Sequence, residues 1–416
     1  MKNICNIEEC TGCMACVNAC AHHAIRVNAD KEGFDRPVID ETLCVDCGLC
    51  AKTCPINHHP LANEPKEIYS GWSSNEAVRI NSSSGGAFTE IARPVLEDGG
   101  VVFGCTLNDK LQAEHIYVET LEDLENNLRG SKYVQSRIGN TYEQAKDFLR
   151  QGRKVLFSGT PCQIAGLRNY LRKDYENLLT VDLICHGVPS PLIFEEYKKY
   201  IAQTEKMNLT DVKFRCKKSS WIFFNMTIKG HVEKKREKKK YIGRYYEDPY
   251  IRGFLNDIFL RPSCSLCKFT SVKRIADFTI ADWWGYDKLK NESRDFERKG
   301  VSLLYCNSIK ATILFSNKIS KKFIFRKRNL AESLMTNNSL KRPFHNELGR
   351  KSFWKLYFEK GFIPAKKVYM KKKYPNIIFY VKYHLRSSFV RDILLWILFK
   401  IDACLRRLHI GRLIKW

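Results

Sequence analysis

Apolar and polar positions follow two alternating periods through the middle of the chain. Short apolar runs, each closed by a turn, predict buried strands, and they cover 66–72, 100–107, 154–158 and 178–184. Segments with apolar residues at helical spacing separate the strands. They cover 85–97, where Pro94 should kink the helix, 141–151 and 163–172. Strands that alternate with helices predict an α/β domain with a mainly parallel sheet.

The last stretch of the chain has the periodicity of an amphipathic helix. On a helical wheel, residues 389–408 carry a mostly basic polar face, which includes Arg391 and Arg406. A wide apolar face, which includes Ile393 and Leu405, lies opposite. Such a helix can dock on its own domain, on a partner or in a lipid interface, and the pattern leaves these alternatives open.

Length and composition limit the class of protein. The chain has 416 residues, 44% of them hydrophobic, which is enough for two or three packed domains and excludes wholesale disorder. No uncharged apolar run reaches the length of a transmembrane span, and the first residues lack the pattern of a signal peptide. We therefore expect a cytoplasmic protein.

The net charge of +25 is concentrated at one end of the chain. Residues 1–60 have a balance of −3, whereas residues 318–416 have a balance of +20. A basic C-terminal quarter favours an acidic partner, such as anionic lipid at the inner face of the cell membrane, an acidic protein or nucleic acid. Nucleic acid is the least favoured, because no motif arranges aromatic and basic residues on one surface.

Cysteine spacing is the strongest chemical signal. The chain has 17 cysteines, which in a reducing compartment indicate metal ligation rather than disulfides. Two runs repeat the spacing C-x2-C-x2-C-x3-C, and they are Cys10, Cys13, Cys16, Cys20 and Cys44, Cys47, Cys50, Cys54. This spacing is typical of the bacterial two-cluster ferredoxin, in which each cluster takes three thiolates from one run and the fourth from the other.

The expected ligand sets for two [4Fe–4S] clusters are therefore interleaved. They are Cys10, Cys13, Cys16 with Cys54, and Cys44, Cys47, Cys50 with Cys20. Zinc is the alternative, but zinc sites favour two well-separated C-x2-C pairs. Ala21 stands where the first run would usually carry a proline that ligates nothing, and Cys5 is expected to be a packed thiol.

Four further cysteines lie in loops of the α/β region. Cys162 and Cys185 each follow a predicted strand, and the carboxyl ends of parallel strands share one edge of a sheet. Cys264 and Cys267 form a C-x2-C pair that lacks two thiolates for a complete site. We expect a third Fe–S cluster on these four residues, with structural zinc and buried structural cysteines as the alternatives.

Two glycine-containing segments are candidates for binding an anion. Residues 81–88 (NSSSGGAF) open a predicted helix, with Ser84 as a plausible N-cap and glycines that let backbone N–H groups approach a phosphate. Residues 129–136 (RGSKYVQS) offer a cation, hydroxyls and an aromatic ring. Either segment can equally be an ordinary loop, because serine and glycine also cap helices without a ligand.

Eight motifs together resemble a known family. They are SSSGGAF (82–88), RGSKYVQS (129–136), GTPCQIAGL (159–167), DLICHGVPSP (182–191), FRCKKSSW (214–221), DPYIRGFL (248–255), RPSCSLCKF (261–269) and IADWWG (280–285). In this order the chain, over residues 1 to about 310, is similar to the beta subunit of coenzyme F₄₂₀ hydrogenase/dehydrogenase, in the bacterial form with an N-terminal ferredoxin module.

The resemblance implies an iron–sulfur flavoprotein that exchanges electrons between clusters and FAD. Its cluster cysteines fall on Cys162, Cys185, Cys264 and Cys267. We expect FAD across the two anion-binding segments, on Ser83, Ser84, Gly85, Gly86, Gly130, Ser131, Lys132, Tyr133 and Gln135. His186 is a candidate catalytic proton donor, or else a hydrogen-bonded turn residue. Bacterial members of this form often accompany genes for surface polysaccharide synthesis, which points to a sugar-linked substrate, while use of coenzyme F₄₂₀ is left open.

These features predict a fold that combines an α+β ferredoxin module with an α/β domain. The expected units are a two-cluster ferredoxin domain (1–60), a flavin-binding domain (66–205), a part with the C-x2-C pair (206–315) and a basic helical extension (316–416). We expect an oxidoreductase that takes electrons from a ferredoxin-like donor protein and reduces an organic substrate. The alternative is an electron-transfer subunit that serves a separate catalytic partner.

Overall fold

The structure is a computed structural model of the chain. It describes residues 3–217, 220–232, 237–286, 299–335, 337–344 and 346–373, together with 393, 394, 396–398 and 401. In this part of the chain, no helix is both long and apolar enough to cross a membrane. The predicted amphipathic helix at 389–408 lies mostly outside the described residues, so its alternative roles stay predictions.

A small N-terminal module has two similar halves around a hairpin. The hairpin pairs β1 (Ile25–Ala29) with β2 (Asp35–Ile39) in antiparallel fashion. A short helix lies within each cysteine run, α1 (Ala15–Asn18) in the first and α2 (Leu49–Thr53) in the second. Each helix ends just before the fourth cysteine of its run. The helix therefore separates this fourth cysteine from the loop that carries the first three.

Among the described residues, eight strands form the main sheet. In spatial order they are β13 (Phe323–Arg328), β3 (Glu67–Ser73), β12 (Ser302–Cys306), β11 (Phe278–Asp282), β7 (Leu178–Leu183), β6 (Val155–Gly159), β4 (Val101–Leu107) and β5 (Ala113–Val118). The central strands β11, β7, β6 and β4 are parallel, and the pairs towards both edges are antiparallel. Five of the eight strands point the same way, which confirms the predicted mainly parallel α/β domain.

Helices cover both faces of this sheet. On one face, α6 (Thr141–Arg150) and α7 (Pro161–Leu171) bury an apolar core with β4 and β6. On the other face, α4 (Ala87–Glu97) and α11 (Ile309–Asn317) bury a second core. Shorter connecting elements are α3 (Glu76–Asn81), α5 (Leu121–Asp123) with the π-turn Leu124–Leu128, α10 (Pro262–Ser265), α12 (Leu330–Leu334), and the 3₁₀ turns Ile319–Lys322 and Asn338–Leu340.

A second, antiparallel sheet lies beside the first. It consists of β8 (Met207–Cys216), β9 (Asn225–Val232) and β10 (Lys238–Arg244). The helices of this part are α8 (Pro191–Glu205), α9 (Pro249–Leu255), α13 (Glu347–Lys360) and α14 (Phe362–Tyr369). One apolar core joins them to the sheet and includes Phe353, Trp354 and Phe362 of the two last helices.

The described part of the expected C-terminal extension is integrated into the fold. β13 completes the main sheet beside β3, and α13 and α14 pack on the core of the second sheet. The main sheet also takes strands from both sides of residue 205. The unit boundaries expected at 205/206 and 315/316 therefore do not separate independent cores.

Candidate functional site

Four thiols of the N-terminal module surround one cavity, which we call the first site. The lining of the cavity includes Cys10, Cys13, Cys16 and Cys54. Three of these thiols come from one run and the fourth from the other, which is the grouping that the spacing predicts. Gly12 and Met14 have positive φ angles of 68° and 58°, and these left-handed turns curl the loop around the cavity.

The other four thiols of the module surround a second cavity, the second site. The lining of this cavity includes Cys20, Cys44, Cys47 and Cys50. Asp46 and Gly48 have φ angles of 53° and 71°, at the same offsets within the run as Gly12 and Met14. The two loops therefore have matching backbone turns, but Cys47 is exposed whereas all four thiols of the first site are buried.

The donor sets fit [4Fe–4S] clusters. Each cavity is lined by the four cysteines expected for such a cluster, three of them on one tight loop, and the first cavity has one further thiol. The thiols stand around a cavity rather than at a point, and no group of three or more His, Cys, Asp or Glu among the described residues could hold a single metal ion. Ligation by each of the eight cysteines stays a prediction.

Cys5 is a fifth thiol at the first site. It lines the same cavity, and its hydrogen bonds lower the pKa of Cys10 to about 5 and the pKa of Cys54 to about 7. Burial instead raises the pKa of Cys16 well above its usual range. The sequence predicts Cys5 only as a packed thiol, and its closeness to two expected ligands is a finding of the structure.

A third group of thiols, the third site, lies at the carboxyl edge of the main sheet. It consists of Cys162, Cys185, Cys264 and Cys267. Cys162 follows β6 in the first turn of α7, Cys185 follows β7, and α10 carries Cys264. Burial raises the pKa of Cys185, and repulsion from the other three thiols adds to this rise, so the four side chains are neighbours. The structure thus brings together the four predicted cysteines.

The third site lies next to the first. Cys13 packs in the same apolar cluster as Cys162 and Cys267. Burial raises the pKa of Cys13, and the nearby Cys162 thiol adds to that rise. A Cβ at Gly166 in α7 would lie 3.0 Å from Cys13 Sγ, so glycine permits the close approach of helix and thiol.

Polar contacts fix the module against the rest of the protein. Ser190 Oγ donates to the carbonyl of Glu32 at 2.5 Å, and the Glu32 carboxylate pairs with Arg350. Asn18 Nδ2 donates to the carbonyl of Gly139 at 2.9 Å. These contacts come from α8, α13 and the loop before α6, so the module is held from several sides.

The two predicted anion-binding segments meet at the carboxyl edge of the sheet. The Ser131 N–H donates to Ser83 Oγ at 2.9 Å. The helix α4 begins after Gly86, whose φ is 95°, and no side chain caps its N-terminus. Ser84 is therefore not the N-cap, because a left-handed glycine takes that position. The Ser84 hydroxyl donates to the carbonyl of Val301 at 2.7 Å instead.

Two residues predicted to touch FAD are engaged elsewhere. Lys132 Nζ donates to three carbonyls at the end of the π-turn, those of Asn127, Leu128 and Arg129. Burial lowers the pKa of Lys132 to about 8. Gln135 Oε1 accepts the Asp35 N–H at 3.1 Å, which ties this loop to the N-terminal module. These contacts occupy Lys132 Nζ and Gln135 Oε1, so we expect neither atom to bind FAD.

The structure adds cations that the sequence analysis did not select. Tyr133 lies near both Ser131 and Arg215. Arg215 is buried, pairs with Asp282 and lies over the rings of Phe224 and Trp284, and its Nε and Nη2 atoms make no hydrogen bond of good geometry to a described residue. Lys217 donates to the carbonyl of Ser84, and burial lowers its pKa to about 7. Arg215 and Lys217 belong to the motif FRCKKSSW, and Asp282 belongs to IADWWG. Only the fold shows that these three residues lie close together.

His186 lies beside the third site in a closed environment. Its Nε2 is 2.6 Å from Asp257 Oδ1, and its ring stacks on Phe344 with centroids 3.9 Å apart. The side chain is 23% exposed. A hydrogen bond to a carboxylate fits both predicted roles, a hydrogen-bonded turn residue and a proton donor that Asp257 orients.

Comparison with known proteins gives a consistent picture of the chain. Residues 9–58 match the 4Fe-4S dicluster domain. Residues 68–141 match the family model for the N-terminal part of the coenzyme F₄₂₀ hydrogenase/dehydrogenase beta subunit, and residues 152–328 match the model for its C terminus. The two beta subunit models together cover more than half of the chain.

Individual relatives match smaller parts. A coenzyme F₄₂₀-dependent sulfite reductase from Methanocaldococcus jannaschii is 26% identical over 216 residues, 51% of this chain and 33% of that protein. An indolepyruvate oxidoreductase subunit IorA from Archaeoglobus fulgidus is 46% identical over 48 residues, 12% of this chain and 7% of that protein. The chain thus spans a third or less of these curated relatives.

A solved structure of the F₄₂₀-reducing [NiFe] hydrogenase complex from Methanosarcina barkeri contains a chain that is 16% identical, with a TM-score of 0.43. The alignment covers 72% of this chain and 95% of that one. The family assignment rests on the matched sequence models, which predict an iron–sulfur oxidoreductase with a dicluster module. The chain belongs to the coenzyme F₄₂₀ hydrogenase/dehydrogenase beta subunit family.

Proposed function

We propose that this protein is an iron–sulfur flavoprotein oxidoreductase that takes electrons from a donor protein and delivers them to an organic substrate. One observation carries the proposal: the three thiol sites follow one another through the molecule. The second site has an exposed thiol, Cys47. The first site is buried against α7, and the third lies beyond it at the sheet edge.

The third site is proposed to hold a cluster rather than zinc. Its four thiols come from three segments, those of Cys162, Cys185 and the Cys264/Cys267 pair, a source that suits either group. Its position supports the cluster, because Cys13 of the first site packs in one apolar cluster with Cys162 and Cys267. A structural zinc ion has no redox chemistry. If the third site held zinc, its close packing against the first site would serve no electron transfer.

When bound, the clusters supply one-electron transfer, and FAD supplies the exchange between one-electron and two-electron chemistry. The chain's own residues hold these groups and exclude water. Gly166 allows α7 to lie against Cys13 Sγ, and the Val188 N–H donates to Cys264 Sγ at 3.3 Å. The apolar core that α6 and α7 form with β4 and β6 includes Cys13 of the first site, and Cys162 and Cys267 of the third site pack against it.

The flavin phosphates are proposed to bind at the N-terminus of α4. The backbone N–H groups of its first turn have no capping side chain, and such a helix terminus favours an anion. Ser83 and Ser131 lie together at this point. Arg215 supports the proposal, because two of its buried nitrogens make no hydrogen bond to a described residue and can donate to a bound anion. The revised candidates are thus Ser83, Ser84, Gly85, Gly86, Gly130, Ser131, Tyr133 and Arg215.

The organic substrate is proposed from the family resemblance alone, as a sugar-linked compound of surface polysaccharide synthesis. His186 is proposed as a proton donor that Asp257 orients through the 2.6 Å contact. In the alternative, the protein hands its electrons to a separate catalytic subunit. Sulfite is not proposed as the substrate, because this chain spans only 33% of the relative that is named a sulfite reductase.

Metal content tests the first part of the proposal. Anaerobically purified protein should bind about twelve irons per chain, four for each cluster. Cys264→Ala should lose about four irons and keep the two clusters of the module, whereas Cys216→Ala, at the end of β8, should keep all twelve. A wild-type content near eight irons with one zinc ion contradicts the third cluster.

Flavin content tests the second part. FAD should co-purify with the wild-type protein and be released by heat. Gly86→Asp should expel it, because a carboxylate at the helix terminus repels the phosphates. Gly86→Ala is the matched control: both variants strain the same left-handed backbone, where φ is 95°. Equal flavin loss in both variants assigns the effect to strain, and wild-type protein that binds no FAD contradicts the flavoprotein.

Reduction of a small molecule separates the two functional alternatives. Protein with its flavin reduced should transfer electrons to a nucleotide-sugar substrate without any added subunit. Reoxidation only after a second protein is added would favour the electron-transfer subunit instead. The same assay with oxidised coenzyme F₄₂₀ determines whether that coenzyme is used.

A further inference from the structure

Arg261 connects the backbone of the third site to the loop of the first. It directly precedes α10, which carries Cys264, and its N–H donates to the carbonyl of Val188 at 2.8 Å. Its side chain crosses to the N-terminal module. There Nε donates to the carbonyl of Cys10 at 2.8 Å, and Nη2 donates to the carbonyl of Asp35 at 3.0 Å.

The guanidinium is buried, and one of its nitrogens makes no hydrogen bond to any residue that the structure describes. Arg261 is only 1% exposed, its guanidinium lies over the Phe34 ring at 5.4 Å, and the nitrogen in question is Nη1. A Cβ at Gly12 would lie 2.6 Å from Nη1, so the first cysteine loop closes directly on this group. Nη2 is 3.9 Å from Cys10 Sγ. Buried donors are normally paired, and an unpaired one beside a thiol site indicates an acceptor that binds there.

Arg261 contacts an expected ligand at each of the two sites. At the first site, the guanidinium donates to the carbonyl of Cys10 and lies 3.9 Å from its thiol. At the third site, the Cys264 N–H donates to the Arg261 carbonyl at 3.0 Å, so the residue is bonded directly to the backbone of an expected ligand. A buried charge acts strongly because the protein interior screens it weakly.

We propose that Arg261 is a positioning residue that couples the first site to the third, an inference that rests on the proposed cluster at the third site. Its backbone and its forked side chain fix the separation of the two sites. Its charge and its unpaired N–H stabilise the extra electron that either cluster holds when reduced, since net charge and hydrogen bonds to sulfur set cluster potentials. One electron moves between the sites, supplied by the reduced donor protein, and no bond is made or broken.

The test compares variants at this position by redox titration followed by electron paramagnetic resonance. Arg261→Gln should keep about twelve irons and shift the potentials of two clusters to more negative values, with the second-site cluster unmoved. Arg261→Lys keeps the charge and should give potentials near those of the wild type. The control is Lys268→Gln, which removes the same charge from the same interface but at an exposed pair with Glu9.

The outcomes separate this inference from the proposed function. If Arg261→Gln keeps about twelve irons and its cluster potentials are unchanged, the inference is wrong and the third cluster is still supported. If the wild type binds only about eight irons, both the inference and the third cluster are wrong. Equal shifts in Lys268→Gln overturn the inference as well. If Arg261→Gln does not fold, ¹⁵N-arginine labelling replaces it. Reduced wild-type protein should show nitrogen coupling that Arg261→Lys lacks, and equal signals in both contradict the proposal.

Discussion

The first and second sites are built from the same local sequence pattern and differ in their surroundings. Both cysteine loops have left-handed turns at the same offsets, and a short helix lies within each run. The first site nevertheless has four buried thiols and shares a core with α7, whereas Cys47 of the second site is exposed. The spacing of the cysteines therefore determines which group each loop can bind. Packing against the main domain determines how deeply the thiols of each site are buried.

The difference extends to the ionisation of the thiols. At the first site, the hydrogen bond from Cys5 lowers the pKa of Cys10, and burial raises the pKa of Cys13 and Cys16. At the second site, burial raises the pKa of Cys50. The buried thiolates of the first site depend on a bound cluster to offset the free energy of desolvation. We expect the first site to contribute more to the stability of the protein than the second.

The largest expected effect comes from removing one ligand at each site. Cys13→Ala should lose about four irons and lower stability by on the order of 3–5 kcal/mol, because buried thiolates are left unpaired inside the core. Cys47→Ala should also lose about four irons, yet leave the apparent melting temperature of the main domain unchanged. Iron content and thermal unfolding measured on both variants check this. Equal losses of stability would remove the distinction between the sites.

A smaller effect is expected where the hairpin of the module meets α8. Gly33 has a φ of 83°, and a Cβ there would lie 2.4 Å from the Leu192 Cβ. Gly33→Ala should therefore lower stability by about 3 kcal/mol, from overpacking and left-handed strain together. Gly99→Ala, where φ is 71° and nothing lies within 4 Å, should cost only about 1 kcal/mol.

The measurement for this pair is thermal unfolding combined with limited proteolysis of the segment 55–65 that follows the module. Cleavage should become faster in Gly33→Ala and stay at the wild-type rate in Gly99→Ala. If both variants are cleaved alike, the contact with Leu192 does not hold the module.

An intermediate effect should be confined to the first site. Gly166→Ala places a Cβ 3.0 Å from Cys13 Sγ, a contact that a small shift of the thiol can relieve. The expected cost is about 1–2 kcal/mol, with partial loss of the first cluster and full retention of the other two. Gly166→Val should increase the loss. Iron content together with the resonance spectrum of each variant shows which cluster is affected, and a loss from the second site would contradict the expectation.

The smallest effect on stability is expected at the exposed face of the second site. Val45 lines the second cavity and is 59% exposed. Val45→Glu should change stability by less than about 0.5 kcal/mol but slow reduction by a two-cluster ferredoxin, since electrons are proposed to enter here. Reduction by dithionite should proceed at the wild-type rate. Val27→Glu, on β1 and 43% exposed, is the control, and equal slowing in both would place the entry point elsewhere.

The sequence is most informative where the chemistry is local. Three cysteines at this spacing must lie on one tight loop. The two runs therefore predict that each cavity is lined by three thiols of one run and the fourth thiol of the other. The third site is also predictable, because Cys162 and Cys185 end neighbouring parallel strands. The parallel centre of the sheet follows from apolar runs separated by helices.

The rest depends on contacts between distant segments. Lys132 and Gln135 lie in a polar loop, and only the fold shows that carbonyls of the π-turn and the Asp35 N–H occupy their polar atoms. Arg261 stands out in no periodic pattern, although it bridges two sites. Ser84 was the expected cap, but a left-handed glycine ends the turn two residues later.

The position of β13 has a consequence for shortened forms of the protein. This strand comes from residues beyond the expected boundary at 315, and it pairs with β3 from Ile68 to Ser73. Without it, the backbone N–H and C=O groups along that side of β3 have no partner, and β3 carries the apolar residues Ile68, Tyr69 and Trp72. An open apolar strand recruits other strands, so a chain cut at 315 should aggregate through β3 even if every cysteine of the three sites is retained.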